Sequence, residues 1–348
     1  MKAIILVGGM GTRMRPLTLT TPKAMLPVLN RPFLEHTFRY LLAAGINRVT
    51  LATCYLPTAI QEYFGDGRRF RLRISYMVED PPLGTGGAVK NAARPPEDTF
   101  VVLNGDVFTD LDLKAMLAFH RERRATATMA LATVDDPSPF GVVVTDAEGR
   151  IARFVEKPPR ESAPSHHINA GIYILEPQVL EDIPSTGTPS MLEQELFPLM
   201  VKRRSDFYGY PFSGFWLDTG TPQNYLRLHQ HLLLSGGGGT VSPSANIHRG
   251  ALISGPVEIG SRTVVESGAR LMGPAALGAD CHVEEGAIVD SSVLWEKVRL
   301  KRGAVVQDSV LASGCVVAEG CRVEGQVLGE GEEVRAAAAP RPRAKKRR

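Results

Sequence analysis

Four cysteines in 348 residues, none of them in a C-x-x-C pair, leave no disulfide framework and no thiolate metal motif to read. Cys54, Cys281, Cys315 and Cys321 stand in apolar contexts, which reads as buried thiols in a reducing cytoplasm. Long apolar runs are missing too. No stretch approaches the roughly 20 uninterrupted apolar residues that span a bilayer, so no membrane partner is expected. Met1-Lys2 leads straight into a strand-like run, which leaves no room for a signal peptide. The body of the chain also lacks basic excess. Its net charge is +3, but the last eight residues, RPRAKKRR, carry six basic groups, so the remainder stands at −3. Residues 333–348 have no apolar period and read as a disordered, solvated basic tail, and a nucleic-acid partner is not expected from it.

A chain of this length exceeds one ordinary core. The division expected is a first domain over 1–235, a second over 240–332, and the tail, with the glycines at 236–239 as a linker. In the first part, short apolar runs at Ala3–Val7, Val49–Thr53, Ile74–Val78 and Phe100–Leu103 alternate with helical periods at Phe33–Ala44, Thr58–Phe64 and Leu113–Arg124. That alternation predicts an α/β fold with a mostly parallel sheet and its ligand at the strand carboxyl ends.

The first strand runs into Gly8-Gly9, Gly11, Thr12 and Arg13, and then, past Arg15, into Pro22-Lys23. Glycine backbone can turn several N–H groups toward one anion, and Arg13, Arg15 and Lys23 add positive charge. The spacing is neither the dinucleotide fingerprint nor the Walker loop. Gly84, Thr85, Gly86 and Gly87 precede a helix read at Ala88–Ala93 and could lie against a flat base, or simply form a glycine-rich helix entry. Asn104-Gly105-Asp106 ends a buried strand, where Asp106 could hold a hard metal ion or close an Asx turn. Glu156 could accept sugar hydroxyls, Lys157 could pair with a phosphate, and the Asn169 amide suits a hydroxyl, although a Glu-Lys pair is equally at home on a solvated edge. Ser190–Met200 reads as an amphipathic helix opened by a Ser190/Glu193 capping box.

The stretch GGMGTRMRPLTLTTPKAMLPV resembles the signature of the nucleoside-diphosphate-sugar pyrophosphorylases, the sugar-1-phosphate nucleotidylyltransferases, with Met14 and Ala24 as departures that touch packing only. PLGTGGAV, INAGIYIL and FWLDTGTP look most like the mannose-1-phosphate guanylyltransferases among them. The resemblance implies a Rossmann-like nucleotidyltransferase sheet and Mg²⁺ as cofactor, held by Asp106 and Asp218. It implies nucleotide contacts at Gly8, Gly9, Gly11, Thr12, Arg13, Gly84, Thr85, Gly86 and Gly105. It implies sugar-phosphate contacts at Lys23, Gly141, Glu156, Lys157, Asn169 and Gly171, with Arg13, Lys23 and Asp106 doing the catalytic work. The substrates implied are a nucleoside triphosphate and a hexose 1-phosphate, first GTP and mannose 1-phosphate, with the thymidylyl, uridylyl and adenylyl transfers to glucose 1-phosphate as alternatives.

Beyond residue 240 the pattern changes. Val241, Ile247, Ile253, Ile259, Val265, Leu271, Leu277, Val283 and Val289 recur every sixth position, slip near Trp295, and resume at Val305, Leu311, Val317 and Val323. A six-residue period marks a parallel β-helix of the left-handed hexapeptide type, four or five coils long. Such domains resemble both those appended to many pyrophosphorylases and those of acyltransferases. His248 and His282 are its only histidines, so assembly into a homo-oligomer or regulation is expected of it rather than acyl transfer. A catalytically silent regulatory subunit would be expected to lose Arg13, Lys23 or an aspartate, and all are present.

Overall fold

The computed structural model describes residues 1–93, 98–236 and 238–335. The reading of a basic tail falls mainly on 336–348, outside the described residues. By internal contacts the chain forms two units. One holds Met1–Arg13, Thr21–Leu26 and Arg31–Thr221; the other holds Met14–Thr20, Pro27–Asn30 and everything from Pro222 on.

The first unit is built on a nine-stranded mixed sheet. In chain order its elements are β1 (Lys2–Leu6), α1 (Phe33–Ala43), β2 (Arg48–Thr53), α2 (Pro57–Phe64), β3 (Arg73–Val78), α3 (Gly84–Ala92) and β4 (Phe100–Asn104). Then come β5 (Val107–Thr109), α4 (Leu113–Glu122), β6 (Ala127–Thr133), β7 (Gly141–Thr145), β8 (Ile151–Glu156), β9 (His167–Leu175), α5 (Phe197–Lys202), β10 (Phe207–Pro211) and β11 (Trp216–Asp218). The main path of the sheet is β8-β7-β9-β4-β1-β2-β3, with β6 on β9 and β10 on β6; β5 and β11 form a separate pair. Strand β1 lies between β4 and β2, parallel to both. Its apolar run is continuous because both faces are covered: Ala3 and Ile5 pack with α1, α2 and α4, while Ile4 packs with α3 and the 192–200 segment. Each of the two isoleucines, fully buried, contributes about 1.5–3 kcal/mol relative to exposure.

Two expectations need correcting here. Helix α3 begins at Gly84, not at Ala88, so the glycines form its first turn. The Ser190 capping box does not form. Ser190 is buried and its hydroxyl has no hydrogen-bond partner, while the segment Leu192–Leu196 coils as a wide π turn before α5. Ser190 serves the glycines instead: its carbonyl accepts from the N–H of Gly86 at 2.9 Å and of Gly87 at 3.3 Å. A Cβ at Gly84 would lie 2.5 Å from that same carbonyl oxygen.

In the second unit three parallel sheets of six, five and five strands make the faces of a hexapeptide β-helix. The inward residues stack in columns, Val265 over Val283 over Leu300 over Val317 and Leu271 over Val289 over Val306 over Val323. Successive coils are eighteen residues apart from Val265 to Val283 and seventeen from Val283 to Leu300 and from Leu300 to Val317, so each later coil loses one position, first between Val289 and Leu294. The next loss falls between Val306 and Leu311, so the inward residue is Val306, which is fully buried, and not Val305 as the period predicts. Helix α6 (Pro222–Ser235) belongs to this unit. Cys281 and Cys315 lie in the β-helix core, and burial pushes the Cys281 thiol up to about 12, so it stays protonated and inert. Among the described residues, no helix is long and apolar enough to cross a membrane.

Candidate active site

The site lies in the first unit, at the carboxyl ends of β1, β2 and β4. A cavity of about 340 Å³ is lined there by Gly8, Gly9, Lys23, Gly84, Thr85, Gly105 and Asp106 from the sequence reading. Glu79, Asn104, Cys54 and Met191 line it as well. Gly105 is a close approach: its N–H donates to Leu6 O at 2.9 Å, and a Cβ there would meet the Val7 side chain at 2.5 Å. That contact aims Asp106 past the end of β1.

Asp106 and Asp218, over a hundred residues apart, are joined by the small β5–β11 ladder, which pairs Asp218 with Val107. The Thr219 N–H and hydroxyl both donate to Asp106 O, at 2.9 and 2.8 Å, and lock the junction. Lys23 stands on a short 3₁₀ turn, and its ammonium reaches Asp106 Oδ2 at 2.6 Å and Asp218 Oδ1 at 3.9 Å. Arg13 lies 3.6 Å from Asp218 Oδ2 with most of its side chain in solvent. Burial and the neighbouring Asp106 carboxylate push the Asp218 carboxyl up, and Lys23 and Arg13 pull it back. Two convergent carboxylates that already gather a cation suit a hard divalent ion, which prefers oxygen ligands. Among the described residues there is no cluster of three or more His, Cys, Asp or Glu, so protein atoms alone do not complete such a site.

Away from the cavity lining stand Gly11, Thr12 and Arg13, which follow β1, and Gly86, which is taken up by packing on Ser190. Thr85 donates to the Glu193 carboxylate at 2.6 Å and accepts from the Leu192 N–H, which ties α3 to the 190s segment. Burial pushes the Glu193 carboxyl up.

Of the five residues read for the hexose pocket, Gly141, Glu156, Asn169 and Gly171 sit on β7, β8 and β9, and Lys157 follows β8 directly. Glu156 pairs across the ladder with Gly141, where a Cβ would come 2.9 Å from the Glu156 carboxylate. Lys157 is exposed and 3.3 Å from Glu156. Asn169 spends its amide locally: Nδ2 donates to the Tyr173 hydroxyl at 2.8 Å and Oδ1 accepts the Gly171 N–H at 2.9 Å, within an irregularity of β9. Gly171 sits at φ 74°, and a Cβ there would strike the Asn104 amide at 2.7 Å. Trp216, which sequence reasoning passed over, donates to Ala170 O at 2.9 Å and packs edge-on to Phe140.

Glu79 was passed over too. It follows β3 directly, as Asp106 follows β4 after one glycine, and that placement was the available signal. Its Oε2 accepts the Leu83 N–H at 3.0 Å. Its Oε1 is buried and has no hydrogen-bond partner, and burial pushes the carboxyl up. A buried carboxylate oxygen without a partner is costly until a donor meets it.

Residues 2–235 match the family model for nucleotidyl transferase, and residues 271–339 match that for the GlmU-like C-terminal hexapeptide. The chain belongs to the nucleotidyl transferase family. It is 38% identical over 323 residues to a mannose-1-phosphate guanylyltransferase of Mycobacterium tuberculosis, covering 88% of this chain and 82% of that one. It is 37% identical over 337 residues to a UTP–glucose-1-phosphate uridylyltransferase of Synechocystis, covering 89% and 87%. Among solved structures, HddC from Yersinia pseudotuberculosis in complex with GMP-PN superimposes with a TM-score of 0.56 at 28% identity, over 65% of this chain and 97% of that one. The nucleotidyltransferase is therefore a sugar-1-phosphate nucleotidyltransferase: it joins a nucleotidyl group to a sugar 1-phosphate and releases pyrophosphate. Enzymes of the family generally use a divalent metal.

Proposed function

We propose that the enzyme transfers GMP from GTP to mannose 1-phosphate, giving GDP-mannose and pyrophosphate. The observation that carries the choice of base is the Glu79 carboxylate in the cavity wall, whose Oε2 accepts the Leu83 N–H and whose buried Oε1 has no hydrogen-bond partner. Guanine offers two adjacent donors, N1–H and the 2-amino group, to which a carboxylate is matched. Thymine and uracil offer one N–H between two carbonyl oxygens that a carboxylate repels, and adenine has a bare N1 beside its amino group. The mannose-1-phosphate guanylyltransferase names among the relatives support the same choice of nucleotide and extend it to the sugar.

The chemistry needs no covalent nucleophile on the protein. A phosphate oxygen of mannose 1-phosphate forms a bond to the α-phosphorus of GTP, the bond from that phosphorus to the bridging β-phosphate oxygen breaks, and pyrophosphate leaves with its electron pair. The work of the chain is to hold two mutually repelling anions in line and to stabilise the charge that spreads. The N–H groups of the Gly8–Thr12 loop receive the triphosphate, and Arg13 holds the departing pyrophosphate. Lys23 sits at the reacting phosphates, Lys157 steers the sugar phosphate, Glu156 faces the hexose hydroxyls, and Asn169 holds the Gly171 turn of β9 beside them. Asp106 and Asp218 would hold a Mg²⁺ ion, whose charge neutralises phosphate oxygens when it is bound.

Copies associate through the β-helix in this reading, which the outward Leu252 and Met272, 61% and 43% exposed, support. Light scattering that found only monomer at working concentrations would remove that part. The four free thiols agree with a reducing cytoplasm. The function itself is tested by pyrophosphate release with Mg²⁺, crossing GTP, dTTP, UTP and ATP with mannose 1-phosphate and glucose 1-phosphate. GTP with mannose 1-phosphate should lead. A lead for dTTP or UTP with glucose 1-phosphate would keep the mechanism and overturn the substrate assignment.

A further inference from the structure

Within the first unit, the amino end of the sheet carries a row of like charges. Arg48 and Arg73 are register partners on β2 and β3. Lys2 continues the row on β1, where the next residue, Ala3, pairs with Val49. Side chains in one row project from the same face, and like charges directly opposite one another destabilise the pairing. The face is the one under α3, since Ile4 and Ala52, further along β1 and β2, belong to the core there. Arg48 and Arg73 are exposed, and among the described residues neither guanidinium makes an ion pair or a hydrogen bond. Lys2, by contrast, donates to the Ala93 carbonyl at the end of α3. A charge on an edge strand guards it against pairing with another chain, which accounts for Arg73 on β3. Strand β2 is interior, between β1 and β3, so edge protection leaves Arg48 without a reason.

A cavity of about 390 Å³ opens on this row, lined by Lys2, Arg48 and Arg73 together with Thr50 and Ser75. Thr50 and Ser75 are themselves register partners, one step along the same face. Neither hydroxyl has a hydrogen bond among the described residues. Asp98 is the one carboxylate in the lining, against three basic side chains. Strand spacing sets the two guanidinium stems roughly 5 Å apart, with the hydroxyls roughly 7 Å further along, a patch of the size of one phosphoryl group. Two planar forks and two hydroxyls match its oxygens. We propose that Arg48, Arg73, Thr50 and Ser75 form a binding site for a phosphoryl dianion, carried by inorganic phosphate or by a small phosphate ester. The site stands at the amino ends of the strands, whereas the transfer chemistry occupies their carboxyl ends. The cavity extends beyond the volume of one phosphate ion, which favours the ester.

The test is calorimetric titration of the full-length protein at low ionic strength, where charged contacts are least screened, with inorganic phosphate and ribose 5-phosphate as probes. The catalytic loop also attracts phosphate, so the titrations are run in an Arg13→Ala/Lys23→Ala background. Binding should persist there, and adding Arg48→Gln/Arg73→Gln should weaken it by about tenfold or more, as charge-assisted hydrogen bonds are lost. Lys114→Gln/Arg121→Gln removes the same charge from exposed positions of α4 and should leave binding within about twofold, which separates a site from the general field of the protein. With the loop intact, Arg48→Gln/Arg73→Gln should keep kcat for pyrophosphate release within about twofold and should not lower Tm, because it relieves a like-charge pair. Tighter binding of ribose 5-phosphate assigns the site to an ester, and equal binding assigns it to free phosphate. No binding of either probe in the loop background, or equal losses in the two charge variants, overturns the proposal.

Discussion

The two units of this chain solve opposite problems. In the β-helix, residues that touch in space are a fixed seventeen or eighteen positions apart, and the fold is a repeated sentence. In the sheet unit, Arg13, Lys23, Asp106 and Asp218 meet only because β4 leads into Asp106 beside β1 and a three-residue ladder carries Asp218 to it. A period specifies architecture and says little about chemistry. Strand ends specify chemistry, and their meeting depends on long-range pairing. The units should therefore break differently.

The largest effect is expected at the carboxylates. Asp106→Asn or Asp218→Asn should lower kcat by about a thousandfold or more, since each removes a charge that gathers the cationic groups of the site. Lys23→Ala and Arg13→Ala should follow with losses of roughly a hundredfold, as donors to charge that develops in the transition state. Steady-state pyrophosphate release reads all four, and thermal melts should show them folded. The β-helix should answer in the other currency. Leu271, fully buried in its column, loses about 2–5 kcal/mol of stability as Leu271→Ala, while kcat at 25 °C stays near wild type. A stable Leu271→Ala protein, or an inactive folded one, would blur the contrast between the units.

A smaller effect separates the base pocket from both. Burial raises the Glu79 carboxyl above the ordinary glutamate range, so it takes up its proton at a higher pH than an exposed glutamate would. The protonated acid cannot accept two guanine donors. KM for GTP should thus climb as pH falls toward and through that raised value, by up to about tenfold, and Glu79→Gln should flatten the profile. A pH-independent KM in the wild type would show that the carboxyl does not face the base.

How much of this was legible follows the same contrast. The hexad positions announced the β-helix, and only Val305 was misplaced, because each later coil drops one position and nothing in a simple period says where the drop is absorbed. The strands and helices around the loop were legible from apolar runs, because a sheet covered on both faces writes them as unbroken. The meeting of Asp106 with Asp218 was reachable only by resemblance. The Ser190 cap misled because Ser-x-x-Glu is a local pattern, whereas Glu193 is claimed by Thr85 over a hundred residues away. Glu79 went unnoticed amid a Pro-rich turn, since an acidic residue before two prolines looks like solvated loop. Its burial is a tertiary fact.

The account stands most directly on whether a carboxylate reads the 2-amino edge of guanine, and kcat/KM for GTP against inosine triphosphate measures that. Inosine triphosphate keeps N1–H and lacks the 2-amino group, so the wild type should favour GTP by about ten- to a hundredfold, the range of one hydrogen bond to a charged acceptor. In Glu79→Gln that preference should shrink severalfold. Equal use of the two nucleotides by the wild type would contradict the assignment of Glu79 and, with it, the choice of guanine.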